Sequence, residues 1–324
     1  MKQDGLKLRC RECGEIAAEH RKRAGFSTHR IMLEVILSLV PAAAAAILIF
    51  GPRTMLIMAV SIAACVLSEL VFGKIAKRKS TVGDLSAAVT GLLLALNLPV
   101  SIPLWIAAFG GVIAVVLLKQ MFGGIGKNPV NPALTALIVL TILFPSAMAP
   151  RIQPFSYLHA DGGVPGPSTF SLPPERIPDL VNLFFGNRTG ALGETCAFAL
   201  LLGLLYLLFR RIITPVIPVC YVGTAALFSL ILGRNVPFDL LSGSLLLAAI
   251  FMATDYTTSP TEWKGQTIFA VGCGILSILL RQFTNLPDAV PIAVVLMNFL
   301  TPLIEAAACP PRQPEKVSSE TDVQ

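Results

Sequence analysis

The chain repeats one apolar stretch: Asp84-Leu-Ser-Ala-Ala-Val-Thr-Gly-Leu-Leu-Leu-Ala reads again as Asp239-Leu-Leu-Ser-Gly-Ser-Leu-Leu-Leu-Ala-Ala. A second pair follows, in which Gly110-Gly-Val-Ile-Ala-Val-Val-Leu-Leu-Lys-Gln is echoed by Gly272-Cys-Gly-Ile-Leu-Ser-Ile-Leu-Leu-Arg-Gln. The third and fourth predicted helices therefore pair with the eighth and ninth. Because this offset of five helices is odd, the two halves enter a membrane from opposite sides. Such inverted repeats are typical of carriers with a site between the repeats; chance likeness of apolar helices is the alternative.

The composition around these repeats excludes an ordinary soluble domain. Hydrophobic residues make up 54% of the chain, charged residues only 14%, and the mean hydropathy is +0.74. A membrane-spanning helix needs about 20 mostly apolar residues. The predicted spans are 31–50, 54–72, 85–99, 102–118, 132–148, 193–209, 212–232, 238–253, 266–280 and 289–305. We therefore expect an all-α polytopic membrane protein of about ten transmembrane helices in two inverted five-helix repeats.

The spans divide the chain into five predicted parts. They are a cytoplasmic tail (1–30), a first membrane repeat (31–148), an exported loop (149–192), a second membrane repeat (193–305) and a cytoplasmic tail (306–324). With a cytoplasmic amino terminus, 19 of the 25 Lys and Arg residues lie inside, which satisfies the positive-inside rule. Both termini are therefore predicted to be cytoplasmic, and the net charge of +6 reflects topology, not nucleic-acid binding. No cleavable signal peptide is evident in the polar first 30 residues.

A glycine-rich polar stretch, residues 119–134, is unlike an ordinary connector. Gly124 and its glycine neighbours allow a ligand to approach the backbone closely. Lys127, Asn128 and Asn131 supply a cation and two amides just before a predicted helix, where an anion or a polar ring system can bind. The alternative is a simple turn with Asn131 as the helix N-cap.

Acidic residues near the predicted cytoplasmic boundary are candidates for an ion path. Asp255 lies among hydroxyl residues in the stretch 251–261, and hard cations prefer such oxygen ligands. A capped turn explains the same residues equally well. Glu69 and Glu34 follow Asp255 as candidates because each lies in an apolar helix. Glu194, near the start of the sixth span, is expected to lie in the first helical turn, where the helix dipole stabilises its negative charge.

Together the stretches 119–134, 186–195, 251–260 and 296–305 resemble the D subunit of the Rnf ion-translocating ferredoxin:NAD oxidoreductase complex. They are similar, more distantly, to the B subunit of the sodium-pumping NADH:quinone oxidoreductase. The resemblance covers residues 28–305 with the motifs in the same order. It implies a multi-pass flavoprotein subunit of the bacterial inner membrane. The implied partners are the A, B, C, E and G subunits of an Rnf-type complex, especially the flavoprotein G subunit, together with a flavin transferase and the lipid bilayer.

The resemblance also implies cofactors. Members of the family carry FMN esterified through its phosphate to a threonine of the exported loop, and relatives hold a second, noncovalent flavin such as riboflavin. Thr169 is the implied attachment residue, with Ser168 as the fallback. The chain departs from the family pattern here, because Gly-Pro-Ser-Thr at 166–169 stands where Ser/Thr-Gly-Ala-Thr is expected.

The chain is not expected to be catalytically complete alone. It has no nucleotide-binding fingerprint and no ligand set for a haem or cluster, and Cys10 and Cys13 form only a lone CxxC. No catalytic residue and no metal site are predicted, so partner subunits supply NADH oxidation and the iron–sulfur steps. Two alternatives stay open: a scaffold subunit without covalent FMN, and a solute carrier resembling urea channels. The sequence leaves open whether sodium or protons move.

Overall fold

The computed structural model describes residues 27–77, 81–124, 126, 128–149, 151–158, 165–166, 179–284 and 288–308. Its first half contains α1 (Thr28–Phe50), α2 (Arg53–Ile75), a 3-10 turn (Val82–Asp84), α3 (Ser86–Leu96), α4 (Leu104–Val112), α5 (Pro132–Leu143) and α6 (Pro145–Met148). A π-helix, Ile113–Gln120, continues α4. The predicted exported loop contributes the two-residue strands β1 (Arg151–Ile152) and β2 (Pro165–Gly166), which pair antiparallel, a 3-10 turn (Ser156–Leu158) and α7 (Leu180–Phe185).

The second half is also helical. It contains α8 (Ala197–Phe209), α9 (Val216–Ile231), α10 (Val236–Leu241), α11 (Leu245–Leu247), α12 (Trp263–Phe283) and α13 (Val290–Ala308). A π-helix, Ala248–Met252, continues α11. The two π-helical segments end where the polar stretches 119–134 and 251–261 begin. Segments of this kind are frequent at functional sites because the widened turn redirects side chains.

The length and composition of the helices agree with a membrane protein. Within the described ranges, α1, α2, α12 and α13 are long and apolar enough to cross a membrane, and shorter apolar helices lie among them. Large apolar side chains on the outer surface are exposed, including Ile75 (77%), Phe209 (84%) and Phe283 (78%). Such a surface suits lipid, not water. The all-helical membrane class is thus supported, whereas ten spans in two inverted repeats stay a prediction.

Small residues bring the helices close together. A Cβ atom on Gly91 of α3 would lie 2.7 Å from the Cα of Ile62 on α2. In the second half, a Cβ on Gly274 of α12 would lie 2.9 Å from the carbonyl oxygen of Tyr221 on α9. Neither position admits a larger side chain without moving backbone, and close helix approach of this kind is typical of membrane bundles.

The two halves join through backbone after α3. The N–H of Gly193 donates to the carbonyl of Leu96 (2.6 Å), and the N–H of Leu192 donates to the carbonyl of Leu98 (3.1 Å). A Cβ on Gly193 would lie 2.5 Å from the Cβ of Leu96, so the contact needs glycine. This pairing keeps residues 190–195 out of the helix, so α8 begins only at Ala197. The expectation that Glu194 lies in the first helical turn is therefore wrong.

A candidate ligand cavity between the two halves

A cavity between the two halves, called here the first cavity, brings the two polar stretches together. It encloses about 780 Å³, its open mouth included. Asn128 and Asn131 line it from the first half, and Asp255, Tyr256 and Thr257 line it from the second. Its apolar wall comes from α1, α3, α5, α8 and the π-helix after α11; its residues include Val35, Val89, Leu93, Leu207 and Phe251. The arrangement is that of a ligand site, apolar with a few convergent polar groups.

Asn128 and Asn131 hydrogen-bond to the local backbone and also line the first cavity. The Oδ1 of Asn131 accepts hydrogen bonds from the N–H groups of Ala133 (3.0 Å) and Leu134 (3.2 Å). Asn131 therefore caps α5, as the alternative interpretation held, and its amide also donates to the carbonyl of Met252 (3.4 Å). With its amide oriented to suit its neighbours, Asn128 donates to the carbonyls of Lys119 (3.3 Å) and Gly124 (3.2 Å).

The glycine-rich turn supports this wall. Gly124 has a φ of +92°, which favours glycine, and its N–H donates to the carbonyl of Lys119 (3.0 Å). Gly124 is not among the residues that line the first cavity. Lys127, the predicted cation, lies outside the described residues.

A buried lysine that sequence reasoning left without a role takes part instead. Lys119, at the end of the π-helix, is 2% exposed and lines the first cavity. Its Nζ donates to Oε1 of Glu69 (2.9 Å) and to Oγ of Ser86 (2.7 Å), and Ser86 lines the same cavity. The signal available in the sequence is a lysine inside the apolar repeat, at the position where the second half has Arg281.

Glu69 lies behind this wall and is almost fully enclosed. Besides Lys119, Oε1 of Glu69 accepts hydrogen bonds from Nε2 of Gln120 (2.9 Å) and Oγ1 of Thr81 (2.5 Å). Oε2 is buried and has no hydrogen-bond partner among the described residues. Oε1 of Glu69 thus accepts three hydrogen bonds, whereas Oε2 accepts none from the described residues.

The remaining predicted acids are held by neighbours. Asp255 accepts hydrogen bonds from the N–H (3.2 Å) and Oγ1 (3.0 Å) of Thr257, so it forms the expected capped turn while lining the first cavity. Glu34 accepts a hydrogen bond from Tyr206 (2.6 Å) and ion-pairs with Arg210. The hydrogen bonds to Glu34 raise the pKa of the Arg210 guanidinium. Glu34 does not line the first cavity.

A second cavity lies beyond Met252. It encloses about 600 Å³, open mouth included, and its polar lining includes Asn97, Thr141, Glu194 and Asp288. The amide of Asn97 donates to the sulfur of Met252 (3.8 Å), whose carbonyl accepts from Asn131. Met252 therefore contacts one lining residue of each cavity. Thr169, Ser168, Cys10 and Cys13 lie outside the described residues.

The second half has its own buried ionic cluster. The carboxylate of Asp239 accepts hydrogen bonds from Ser229 (2.6 Å) and from Nε (2.7 Å) and Nη2 (2.9 Å) of Arg234. These bonds raise the pKa of the Arg234 guanidinium against the opposing effect of burial. Arg281 donates to the backbone carbonyls of Asp239 and Ser242. None of these residues lines either cavity.

The apolar helices are those of a multi-pass membrane protein, and a cavity with polar and apolar lining lies at the junction of its halves. The model of the NQR2, RnfD, RnfE family matches residues 17–313. The chain therefore belongs to the NQR2, RnfD, RnfE family, which confirms the resemblance to the D subunit of the Rnf complex.

Individual relatives agree with this assignment. The chain is 39% identical over 289 residues to the D subunit of the Na(+)-translocating ferredoxin:NAD(+) oxidoreductase complex of Acetobacterium woodii, covering 87% of this chain and 90% of the relative. It is 33% identical over 311 residues to the D subunit of the proton-translocating ferredoxin:NAD(+) oxidoreductase complex of Clostridium ljungdahlii, covering 90% and 93%. The D subunit of an ion-translocating oxidoreductase complex of Halorhodospira halophila is 34% identical over 333 residues, covering 90% and 93%.

Proposed function

We propose that this chain is the flavin-containing membrane D subunit of an Rnf-type complex, which couples electron transfer between ferredoxin and NAD to movement of sodium or protons. The observation that carries the proposal is the first cavity, where polar stretches from both halves meet. The names of the relatives support the same role. The proposed location is the bacterial inner membrane with both termini cytoplasmic. The proposed partners are the A, B, C, E and G subunits of that complex and a flavin transferase.

The first cavity suits the ring system of a noncovalent flavin. Its lining is mostly apolar with a few polar groups, as is typical of ligand pockets. A flavin ring is flat, apolar at one end and rich in hydrogen-bonding groups at the other. Leu93 and Phe251 offer apolar surface for the ring faces, while Lys119 and Thr257 lie on the polar side. A bound flavin would supply one-electron and two-electron redox chemistry; the residues of this chain bind it, orient it and exclude water.

We further propose a covalent FMN on the exported loop, esterified through its phosphate to Thr169, with Ser168 as the fallback. Both residues keep the hydroxyl that a phosphoester needs, and they follow β2 by a few residues. For the ion path, we propose Asp255, which lines the first cavity, and Glu69, which lies behind its wall. Glu34 ranks third because it lies away from the first cavity and is ion-paired with Arg210.

The test is to measure both flavins in the purified complex. Acid precipitation releases noncovalent flavin, whereas flavin that stays with the denatured protein is covalent. We expect Thr169→Ala to abolish the covalent fluorescence of this chain's band on a denaturing gel and Ser168→Ala to preserve it. We expect Thr90→Phe, which fills the first cavity, to abolish the released flavin.

Thr141→Phe is the matched control for the cavity variant. Both threonines bond to the carbonyl four residues earlier, at 2.9 Å, but Thr141 lines the second cavity. Released flavin should therefore survive Thr141→Phe. Loss of covalent flavin only in Ser168→Ala would move the attachment site by one residue. A wild-type complex without either flavin, made with an active transferase, would contradict the proposal and favour a scaffold or a solute carrier.

A further inference from the structure

Glu69 and Lys119 form a buried ion pair, and Lys119 lines the cavity of the proposed ligand. Both side chains are 2% exposed. All three hydrogen bonds to the Glu69 carboxylate fall on Oε1, and Oε2 has none. A charged carboxylate this deeply buried is costly unless it is paired. Lys119 is the cationic partner of Glu69, and it bonds to Glu69 from the wall of the first cavity.

The ammonium of Lys119 can serve a second anion. An ammonium has three donor hydrogens on a flexible four-carbon stem. Two of them bond to Glu69 and Ser86, and Ser86 lines the same cavity. Negative charge in the first cavity and the charge on Glu69 thus compete for one cation.

We infer that Lys119 is a shared counter-ion: negative charge arriving in the first cavity draws its ammonium away from Glu69, and Glu69 then binds one monovalent cation, sodium or a proton. The inference rests on the proposed function, which places a flavin in this cavity. One electron reaches the cavity from a reduced iron–sulfur or flavin centre of a partner protein, and one cation reaches Glu69. The net charge of the buried region stays constant. With a proton, an O–H bond forms on the carboxylate; with sodium, oxygen ligands suffice.

The surroundings of Glu69 suit this exchange. Thr81 supplies a hydroxyl oxygen next to the carboxylate, and such oxygens ligate hard cations, whereas Gln120 presents its amide nitrogen there. The titratable neighbours that act on this region are Lys119, from the π-helix after α4, and Cys65, one turn earlier on α2. Asp255 is the acid on the cavity wall itself, where Thr257 holds it.

The experiment is a redox titration of the noncovalent flavin in the purified complex, followed by visible absorbance. One series varies sodium at fixed pH, and another varies pH without sodium. For a one-electron step that binds one cation, the midpoint potential should shift by about 59 mV per tenfold change in that cation. We expect the wild type to show this slope with one cation and Glu69→Gln to lose it while keeping its flavin. Glu69→Asp, which keeps the carboxylate, should restore the slope.

Asp239→Asn is the matched control, because Asp239 is equally buried and ion-paired but lines neither cavity. It should keep the wild-type slope. If Glu69→Gln does not assemble, Thr81→Val keeps the acid and the lysine but removes one hydroxyl, and should weaken cation affinity about tenfold. A flavin-loaded Glu69→Gln complex with an unchanged slope, or Thr81→Val with unchanged affinity, would overturn the inference alone. A wild type without noncovalent flavin would overturn the proposed function as well.

Discussion

Lys119 and Arg281 occupy the same place in the repeated stretch, yet they serve their halves of the molecule differently. Both side chains are nearly inaccessible, with exposures of 2% and 3%. Lys119 donates to a carboxylate and a hydroxyl, whereas Arg281 donates to two backbone carbonyls and lies 3.9 Å from the carboxylate of Asp288. Each contacts the stretch that begins at Asp84 or Asp239. The inverted arrangement itself stays a prediction.

The difference shows how one scaffold position supports two roles. Two nitrogens of the planar Arg281 guanidinium donate to backbone carbonyls, which the fold holds in place, and this favours a permanent link. The compact ammonium of lysine is satisfied by side chains, one of which lines the first cavity. The first half thus carries a lysine whose side-chain partners can be exchanged, and the second half carries an arginine that links fixed backbone groups.

The largest expected effect comes from removing the lysine charge. Lys119→Met leaves the buried Glu69 without its cationic partner, and breaking a buried pair in this way costs about 3–5 kcal/mol. The double variant Glu69→Met, Lys119→Met should recover most of this loss because no unpaired charge remains. The free energy of unfolding can be measured by circular dichroism in mild detergent titrated with SDS. A double variant as unstable as the single one would refute the pairing argument.

A smaller loss of stability is expected for Arg234→Met in the second half. The Arg234 side chain is 23% exposed, against 2% for Lys119, so water reaches the site of the lost guanidinium, and Asp239 keeps its hydrogen bond from Ser229. We expect a cost of about 1.5–3 kcal/mol, the range for hydrogen bonds to charged groups. The same SDS titration, run beside Lys119→Met, gives the ranking. A cost above that of Lys119→Met would reverse the comparison.

The smallest expected effects on stability come from substitutions of Ser86 and Ser242. Ser86→Ala removes the hydroxyl that accepts from Lys119 and should cost about 1.5 kcal/mol. Ser242→Ala removes a buried hydroxyl that has no hydrogen-bond partner, while Arg281 still bonds to its carbonyl. It should be neutral or slightly stabilising, because an unsatisfied polar group is lost. Equal costs for both serines would show that their hydroxyls play the same part.

Sequence reasoning located local features and missed the ones that depend on tertiary contacts. Apolar runs marked the helices, and the pattern around Asn131 predicted the cap at α5. The meeting of Asn128 with Asp255 in one cavity depends on the packing of two halves, which no local pattern encodes. The late start of α8 has the same cause, since Leu192 and Gly193 pair with the backbone at the end of α3.

The role of Lys119 was hidden for a related reason. A lysine at the end of an apolar run predicts a membrane boundary, and only the fold shows that Glu69 and Ser86 enclose it. Thr169 and Lys127 lie outside the described residues and stay predictions.

The joint between Leu96–Leu98 and Leu192–Gly193 has a consequence for biosynthesis. The ribosome synthesises α3 well before residues 192 and 193. The carbonyls of Leu96 and Leu98 therefore lack these two donors until the later residues are added. Unsatisfied backbone is not tolerated against lipid. We expect the nascent first half to stay shallow in the bilayer or in contact with the insertion machinery, and to reach its final depth only when the second half arrives.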